Sequence, residues 1–218
     1  SFYPLAEFAK HVGGEGVSVV NIVPPGTEPH DFEPSAQDIV QVYSADLFIF
    51  NGSGLDPWAE KISLELEKKD IVFINMTRHF DLIEGEDGHG EESEEEGEHE
   101  GEELDPHIWL DPLLAKKEVE IIRDAFMAID PDNALIYEGN AEQYLAELSD
   151  LDRAYKDGLA SCAIRDIVAS HGAFGYLAKR YNLNVVHIAG LSPEEEPSPK
   201  RIAEIAECVG IRADDVIG

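Results

Sequence analysis

Three histidines share a sequence context that suits metal coordination. His30, His107 and His171 each lie at or just beyond the end of a predicted strand or in the loop that follows, next to proline or glycine. In parallel α/β sheets, ligands bind beyond the carboxyl ends of the strands, so the three imidazoles are expected to converge on one cleft. Neutral imidazole is a good ligand for zinc and other borderline metals. The alternative, that these are ordinary loop or capping histidines, stays open at this point.

The other histidines lack this context. His11 ends a predicted helix, His79 follows a Thr-Arg pair and His187 lies within an apolar strand, so all three are assigned structural roles. His89 and His99 lie among acidic residues, and they are candidates for weak auxiliary metal sites.

One acidic segment, residues 84–103, carries much of the charge. The 218-residue chain has a formal net charge of −30, and this segment holds twelve carboxylates, five glycines and neither Lys nor Arg. Such a composition predicts a flexible, solvated loop. Two interpretations remain open: the loop is either a simple soluble insertion or a segment that weakly collects cations.

The overall composition excludes several classes of protein. A chain this acidic does not suit general nucleic-acid binding, which requires clustered Lys and Arg. No apolar run approaches the roughly 18 residues that a membrane span needs. With 43% hydrophobic residues, the chain can bury a substantial core.

The elements that must position the histidines alternate between strands and helices. In the first half we predict helices at 5–12, 35–44 and 57–69 and strands at 17–23, 46–51 and 71–76; Ser35 and Asp38 resemble a capping box. Apolar strands that alternate with helices indicate a parallel sheet covered on both faces. The first half is therefore predicted to be an α/β lobe.

The second half begins with helices and then returns to alternation. Helices are predicted at 113–129 and 133–159, the latter with an apolar stripe that suits a spacer between two lobes. Strands at 166–170 and 184–188 and helices at 174–181 and 199–208 follow. We therefore predict an N-terminal lobe at 1–112, a helical linker at 113–159 and an incomplete C-terminal lobe at 160–218, completed by further residues or by a partner.

Two cysteines, Cys162 and Cys208, form no zinc-binding motif. They are either one disulfide of an exported protein or two buried thiols, since pairing does not follow from sequence. If the protein is exported, its signal segment was removed or is absent from this sequence.

Four ordered motifs make the chain similar to a known family. Residues 28–34 (EPHDFEP), 105–112 (DPHIWLDP), 170–176 (SHGAFGY) and 190–199 (GLSPEEEPSP) strongly resemble the zinc-type solute-binding proteins of ABC importers, and the resemblance runs from Ser1 to about Ile205. It implies two parallel-sheet α/β lobes joined by a long rigid helix, with one metal ion in the cleft between them. It also implies His30, His107 and His171 as the ligands.

The resemblance further implies a function. The protein is expected to capture Zn²⁺ outside the cytoplasm and to deliver it, as a monomer, to an ABC permease with its ATPase. It is expected to lie in the periplasm or to be lipid-anchored at the outer face of the cell membrane. Manganese-type relatives usually carry Glu where His171 stands, so this position favours zinc. The family's C-terminal Asp ligand has no counterpart after Glu207, and water, a loop carboxylate or a residue beyond Gly218 would fill the fourth position.

Three alternatives are kept. A Mn²⁺- or Fe²⁺-binding member of the same family is the nearest one. A surface adhesin is a role reported for some relatives, although no residue here argues for it. A zinc hydrolase also uses three protein ligands and an open position, but the sequence has no general-base motif such as HExxH, so we predict that the protein is not an enzyme.

Overall fold

The computed structural model describes residues 1–69, 71–85 and 104–191, together with Ile202 and Ile205. Six helices and four strands lie in these ranges: α1 (Tyr3–Gly13), α2 (Ala36–Ser44), β1 (Phe48–Phe50), α3 (Pro57–Glu67), β2 (Phe73–Asn75), α4 (Pro112–Ile129), α5 (Ala134–Leu159), β3 (Asp166–Ala169), α6 (Gly175–Tyr181) and β4 (Asn184–His187). None of these helices is long and apolar enough to cross a membrane.

Two small parallel sheets organise the molecule. Strand β1 pairs with β2 in the register Phe48 to Phe73, and β3 pairs with β4 in the register Asp166 to Asn184. We call the part around β1 and β2 the first lobe and the part around β3 and β4 the second lobe. Parallel strands need a crossover connection, which α3 supplies in the first lobe and α6 in the second. The predicted α/β alternation is therefore present in both lobes.

The strand predicted at 17–23 is wrong. These residues all lie in the described part of the chain, and they form no strand there. Val17 is extended, but Val20 is 57% exposed, and the backbone N–H groups of Ile22 and Val23 both donate to the carbonyl of Ser1. A β-branched run favours an extended backbone, whereas a strand also needs a neighbour that supplies a ladder of hydrogen bonds.

Most other predicted elements are present, usually with shorter ends. Helix α2 begins at the predicted capping box, in which the Ser35 and Asp38 side chains each accept from the other residue's backbone N–H. Strand β1 covers only three of the six residues predicted for it. The helix predicted at 199–208 lies outside the described residues except at Ile202 and Ile205, which are helical.

The long helix α5 contacts both lobes. Its N-terminal half packs with α1 and α4, where Ala141 and Leu148 are buried. Further along, Leu151 is 45% exposed and Tyr155 stacks on Tyr181 of α6 at a ring distance of 4.9 Å. The predicted apolar stripe therefore changes partner along the helix, from the first-lobe core to the second lobe.

An ion pair with a buried carboxylate also joins the lobes. Arg180 of α6 donates from Nε and Nη2 to the carboxylate of Asp111 at 2.7–3.0 Å. The same carboxylate accepts from the backbone N–H of Leu113 at 2.8 Å and so caps α4. Asp111 is only 3% exposed, so its charge needs a partner, which Arg180 supplies. Together the two sets of hydrogen bonds fix α6 against the start of α4.

Candidate metal centre

The structure brings the three predicted histidines together. One ring nitrogen from each of His30, His107 and His171 lies within 4.8 Å of the others. The Nε2 atoms of His30 and His107 are 3.4 Å apart, and the ring centroids of His107 and His171 are 5.4 Å apart. In the part of the chain that the structure describes, this is the one group of three or more such side chains close enough to hold a metal ion.

Each histidine comes from a different loop. His30 lies in the segment between Val23 and α2, and His107 directly precedes a short 3₁₀ turn, Ile108–Leu110. His171 lies two residues beyond the end of β3, where the Gly172 N–H donates to the carbonyl of Gly190 at 2.7 Å. The loop that carries His171 is thus hydrogen-bonded to the segment that follows β4. This agrees with a site beyond the carboxyl ends of parallel strands.

Burial keeps His30 and His171 in the form that binds metal. Desolvation, helped by His107 and His171, lowers the pKa of His30 to about 4. Desolvation, and then the nearby His107, also lowers the pKa of His171. Both imidazoles are therefore neutral near pH 7, with a lone pair for a cation.

Asp105 orients His107. Its Oδ1 accepts from the backbone N–H of His107 at 2.9 Å and lies 2.8 Å from Nδ1 of the same residue. Because a carboxylate only accepts, this contact assigns the proton to Nδ1 and leaves the Nε2 lone pair facing His30. A carboxylate behind a histidine is the usual outer-shell arrangement of zinc sites.

The end of β1 supports the same segment from the first lobe. The side chain of Asn51, which is fully buried, donates to the carbonyl of Pro106 at 3.0 Å. Asp56 in turn accepts from the backbone N–H groups of Asn51 and Gly52 at 2.9 and 2.8 Å. Sequence reasoning identified neither Asp105 nor Asn51 as part of the site; the Asp-Pro-His spacing was the available signal for Asp105.

A cavity of about 340 Å³ opens beside the three imidazoles. Phe2, Trp109 and Phe174 give it apolar walls, and Glu28 supplies a carboxylate. The Glu28 side chain also accepts from the backbone N–H of His30 at 3.5 Å. The three imidazoles thus line a small cavity with apolar walls and one acidic side chain.

The other histidines of the described residues are not part of this cluster. His11 stacks on Tyr144 at a ring distance of 4.0 Å, and His79 is exposed. His187 is buried, with Nδ1 2.6 Å from the carbonyl of Ala189. His89 and His99 lie outside the described residues. Cys162 is exposed, so the prediction of a buried thiol is wrong there, and Cys208 lies outside the described residues.

The fold and the site define a class: a two-lobed α/β protein with a three-histidine cluster in the cleft between the lobes. The model of one family, described as zinc-uptake complex component A, periplasmic (ZnuA), matches residues 1–216. The chain therefore belongs to this family. The family consists of uptake components rather than enzymes, in agreement with the prediction from the sequence.

Named relatives support the assignment. The chain is 41% identical over 215 residues to the zinc-binding lipoprotein AdcA of Streptococcus pneumoniae, covering 96% of this chain and 42% of AdcA. It is 40% identical over 205 residues to the high-affinity zinc uptake system protein ZnuA of Bacillus subtilis, covering 94% of this chain and 64% of that protein. The chain thus spans less than two thirds of both relatives.

Solved structures show the same architecture. The Zn(II)-bound ZnuA-like domain of S. pneumoniae AdcA superimposes with a TM-score of 0.77 at 39% identity, covering 96% of this chain and 72% of that domain. A mutant of the laminin-binding adhesin Lmb of Streptococcus agalactiae superimposes with a TM-score of 0.82 at 31% identity, covering 96% and 75%. The predicted two-lobed α/β fold with its long connecting helix is confirmed.

Proposed function

We propose that this protein captures Zn²⁺ outside the cytoplasm and hands it to an ABC permease and its ATPase for uptake. The observation that carries the proposal is the convergence of three imidazoles from three separate loops, with one nitrogen of each within 4.8 Å of the others. The family match and the Zn(II)-bound structural neighbour support zinc as the cargo. The same proposal places the protein in the periplasm or, through a lipid anchor, at the outer face of the cell membrane.

The geometry suits zinc in particular. Tetrahedral coordination with Zn–N bonds of about 2.0–2.1 Å places ligand nitrogens about 3.3 Å apart. The Nε2 atoms of His30 and His107 are 3.4 Å apart, so this pair needs little adjustment. Three nitrogen donors leave one position for an oxygen ligand, whereas manganese sites are richer in carboxylate and water.

Removal of the second-lobe ligand tests the site. Substitution of His171 by Ala removes one of three nitrogen donors, so we expect zinc affinity to fall by more than about 100-fold, beyond the 10–100-fold typical of outer-shell changes. Competition with a chromophoric chelator measures this in the 218-residue chain. The matched control is His79→Ala, which removes an exposed histidine outside the cluster and should bind one zinc ion like the wild type. Equal affinity in His171→Ala and the wild type would contradict the site.

For the acidic segment we propose a subsidiary role in concentrating cations near the site, with His89 and His99 as weak auxiliary ligands. The ends of the segment are adjacent, because Glu84 and Leu104 form an isolated antiparallel bridge. A deletion of residues 85–102 can therefore be closed by a short turn. We expect the tight site to persist and the uptake of additional, weakly held zinc to fall, as measured by equilibrium dialysis. Unchanged stoichiometry and on-rate would support a simple soluble insertion.

The division into a first lobe at 1–112, a helical linker at 113–159 and a second lobe at 160–218 is part of the same proposal. The contact of α6 with the His107 segment and the contacts of α5 with α1, α4 and α6 support it. In this arrangement two of the three ligands belong to the first lobe and one to the second. Cargo binding would then require both lobes.

A further inference from the structure

We propose that Tyr176 is a positioning residue for the metal ligand His107 and that its hydroxyl couples the second lobe to the orientation of this imidazole. This inference rests on the proposed zinc-binding function. It adds a residue that lies outside the cluster of ligands and whose removal should speed the release of zinc.

The hydroxyl of Tyr176 makes two hydrogen bonds across the cleft between the lobes. It donates to the carbonyl of Asp105 at 2.8 Å and accepts from the backbone N–H of Ile83 at 3.1 Å. Tyr176 is 5% exposed, and burial raises its pKa to about 12, so the hydroxyl keeps its proton and remains a donor. A single second-lobe side chain therefore holds two first-lobe segments.

Asp105 carries this restraint to the metal ligand. Its main chain is held by Tyr176, and its carboxylate holds both the backbone N–H and Nδ1 of His107. Only Asp105 therefore separates the Tyr176 hydroxyl from the imidazole. Since an imidazole binds metal along one lone-pair direction, a shift of Asp105 turns Nε2 away from the position that His30 and His171 share.

Close packing leaves Asp105 little freedom. A Cβ atom on Gly175, the first residue of α6, would lie 2.7 Å from Oδ2 of Asp105. From the other side, Asn51 holds the carbonyl of Pro106. The segment between Asp105 and His107 is therefore clamped between the end of β1 and the start of α6.

The arrangement links lobe position to zinc release. Helix α6 belongs to the second lobe, whereas the Tyr176 hydroxyl on this helix contacts Ile83 and Asp105 in the first lobe. A displacement of α6 would break the bond to Asp105 and loosen His107 without removing a ligand. We infer that such a displacement lowers the affinity of the site.

The experiment compares Tyr176→Phe with Tyr181→Phe in the 218-residue chain. Both tyrosines lie buried on α6 and donate one hydroxyl hydrogen bond, but Tyr181 donates to Asp152 on α5 at 3.2 Å, away from the metal site. Both variants should lose a similar amount of thermal stability. Only Tyr176→Phe should release zinc to a chelator faster, by about 10-fold or more, within the 10–100-fold range of outer-shell changes.

A second readout uses the metal-free protein. In Tyr176→Phe, amide hydrogen exchange at Ile83 and His107 should be faster than in the wild type, and in Tyr181→Phe it should be unchanged. If Tyr176→Phe releases zinc and exchanges these amides like Tyr181→Phe, the positioning role is overturned. If the wild type itself binds no zinc tightly, the proposed function fails, while the exchange measurement still decides whether Tyr176 restrains His107.

Discussion

The first-lobe and second-lobe sides of the metal cluster differ in how firmly they hold their histidines. His107 is 2% exposed and has its backbone N–H and Nδ1 fixed by one carboxylate. His171 is only partly buried, and its Nδ1 lies 3.4 Å from the Ser170 hydroxyl, a neutral group next to it in the chain. A three-histidine site that includes a rigid ligand, His107, and a more adaptable one, His171, can be preorganised at the first and still adjust to the cargo at the second.

Loss of the rigid ligand should have the largest effect. Substitution of His107 by Ala removes a nitrogen donor and leaves the Asp105 carboxylate buried without its imidazole partner. We expect zinc affinity to fall by more than about 100-fold and the free energy of unfolding of the metal-free protein to fall by about 1.5–3 kcal/mol, the typical contribution of a hydrogen bond to a charged group. Urea unfolding and chelator competition measure the two quantities.

The matched variant is His171→Ala, which removes a ligand from the adaptable side. It should lose zinc affinity comparably but leave the stability of the metal-free protein close to that of the wild type, because the side chain is only partly buried. Equal losses of stability in the two variants would remove the difference between the two sides.

Substitution of the side chains that contact His107 and His171 should show the same difference between these two ligands, with a smaller change in zinc affinity. Asp105→Ala removes the acceptor that sets the tautomer of His107, so we expect a 10–100-fold loss of zinc affinity. Ser170→Ala removes the weak neighbour of His171 and should change the affinity less than about twofold. The measurement is again chelator competition, and similar losses in both variants would contradict the assigned roles.

The sequence predicted those features that local chemistry determines. The capping box of α2 involves residues three apart, and the loop context of His30, His107 and His171 predicted their convergence, although the strand expected before His30 is absent. Features that depend on distant partners were missed. The bond from Tyr176 to Asp105 joins residues 71 positions apart, and no local pattern marks it.

The failed strand at 17–23 shows the same limit from the other direction. Its β-branched residues favour an extended backbone, which Val17 adopts. A strand, however, is a property of a pair, and within the described residues the only backbone-to-backbone hydrogen bonds of this segment are those from Ile22 and Val23 to the carbonyl of Ser1. Local propensity therefore predicted the conformation of the backbone but not the existence of a partner.

Substitution of Glu118 tests whether a more stable first-lobe core changes the zinc affinity of the site. Glu118 lies on α4, close in sequence to His107, and is fully buried, and within the described part of the chain neither of its carboxylate oxygens has a hydrogen-bond partner. Desolvation raises the pKa of this carboxyl well above the ordinary 4.5. In the unfolded chain the group ionises near that ordinary value, so folding at higher pH requires an unfavourable protonation or an unpaired buried charge.

We therefore expect Glu118→Gln to raise the free energy of unfolding at pH 7 by about 1–3 kcal/mol, because a neutral amide requires no protonation on folding. Below about pH 4 the carboxyl is neutral in both the folded and the unfolded state, so the advantage should disappear there and grow as the pH rises. Urea unfolding of the metal-free protein at pH 4 and pH 7 measures both values. Zinc affinity should stay unchanged, because Glu118 is not among the residues that hold His107. A parallel gain in zinc affinity would mean that core stability, rather than the contacts of Asp105, makes the first-lobe side rigid.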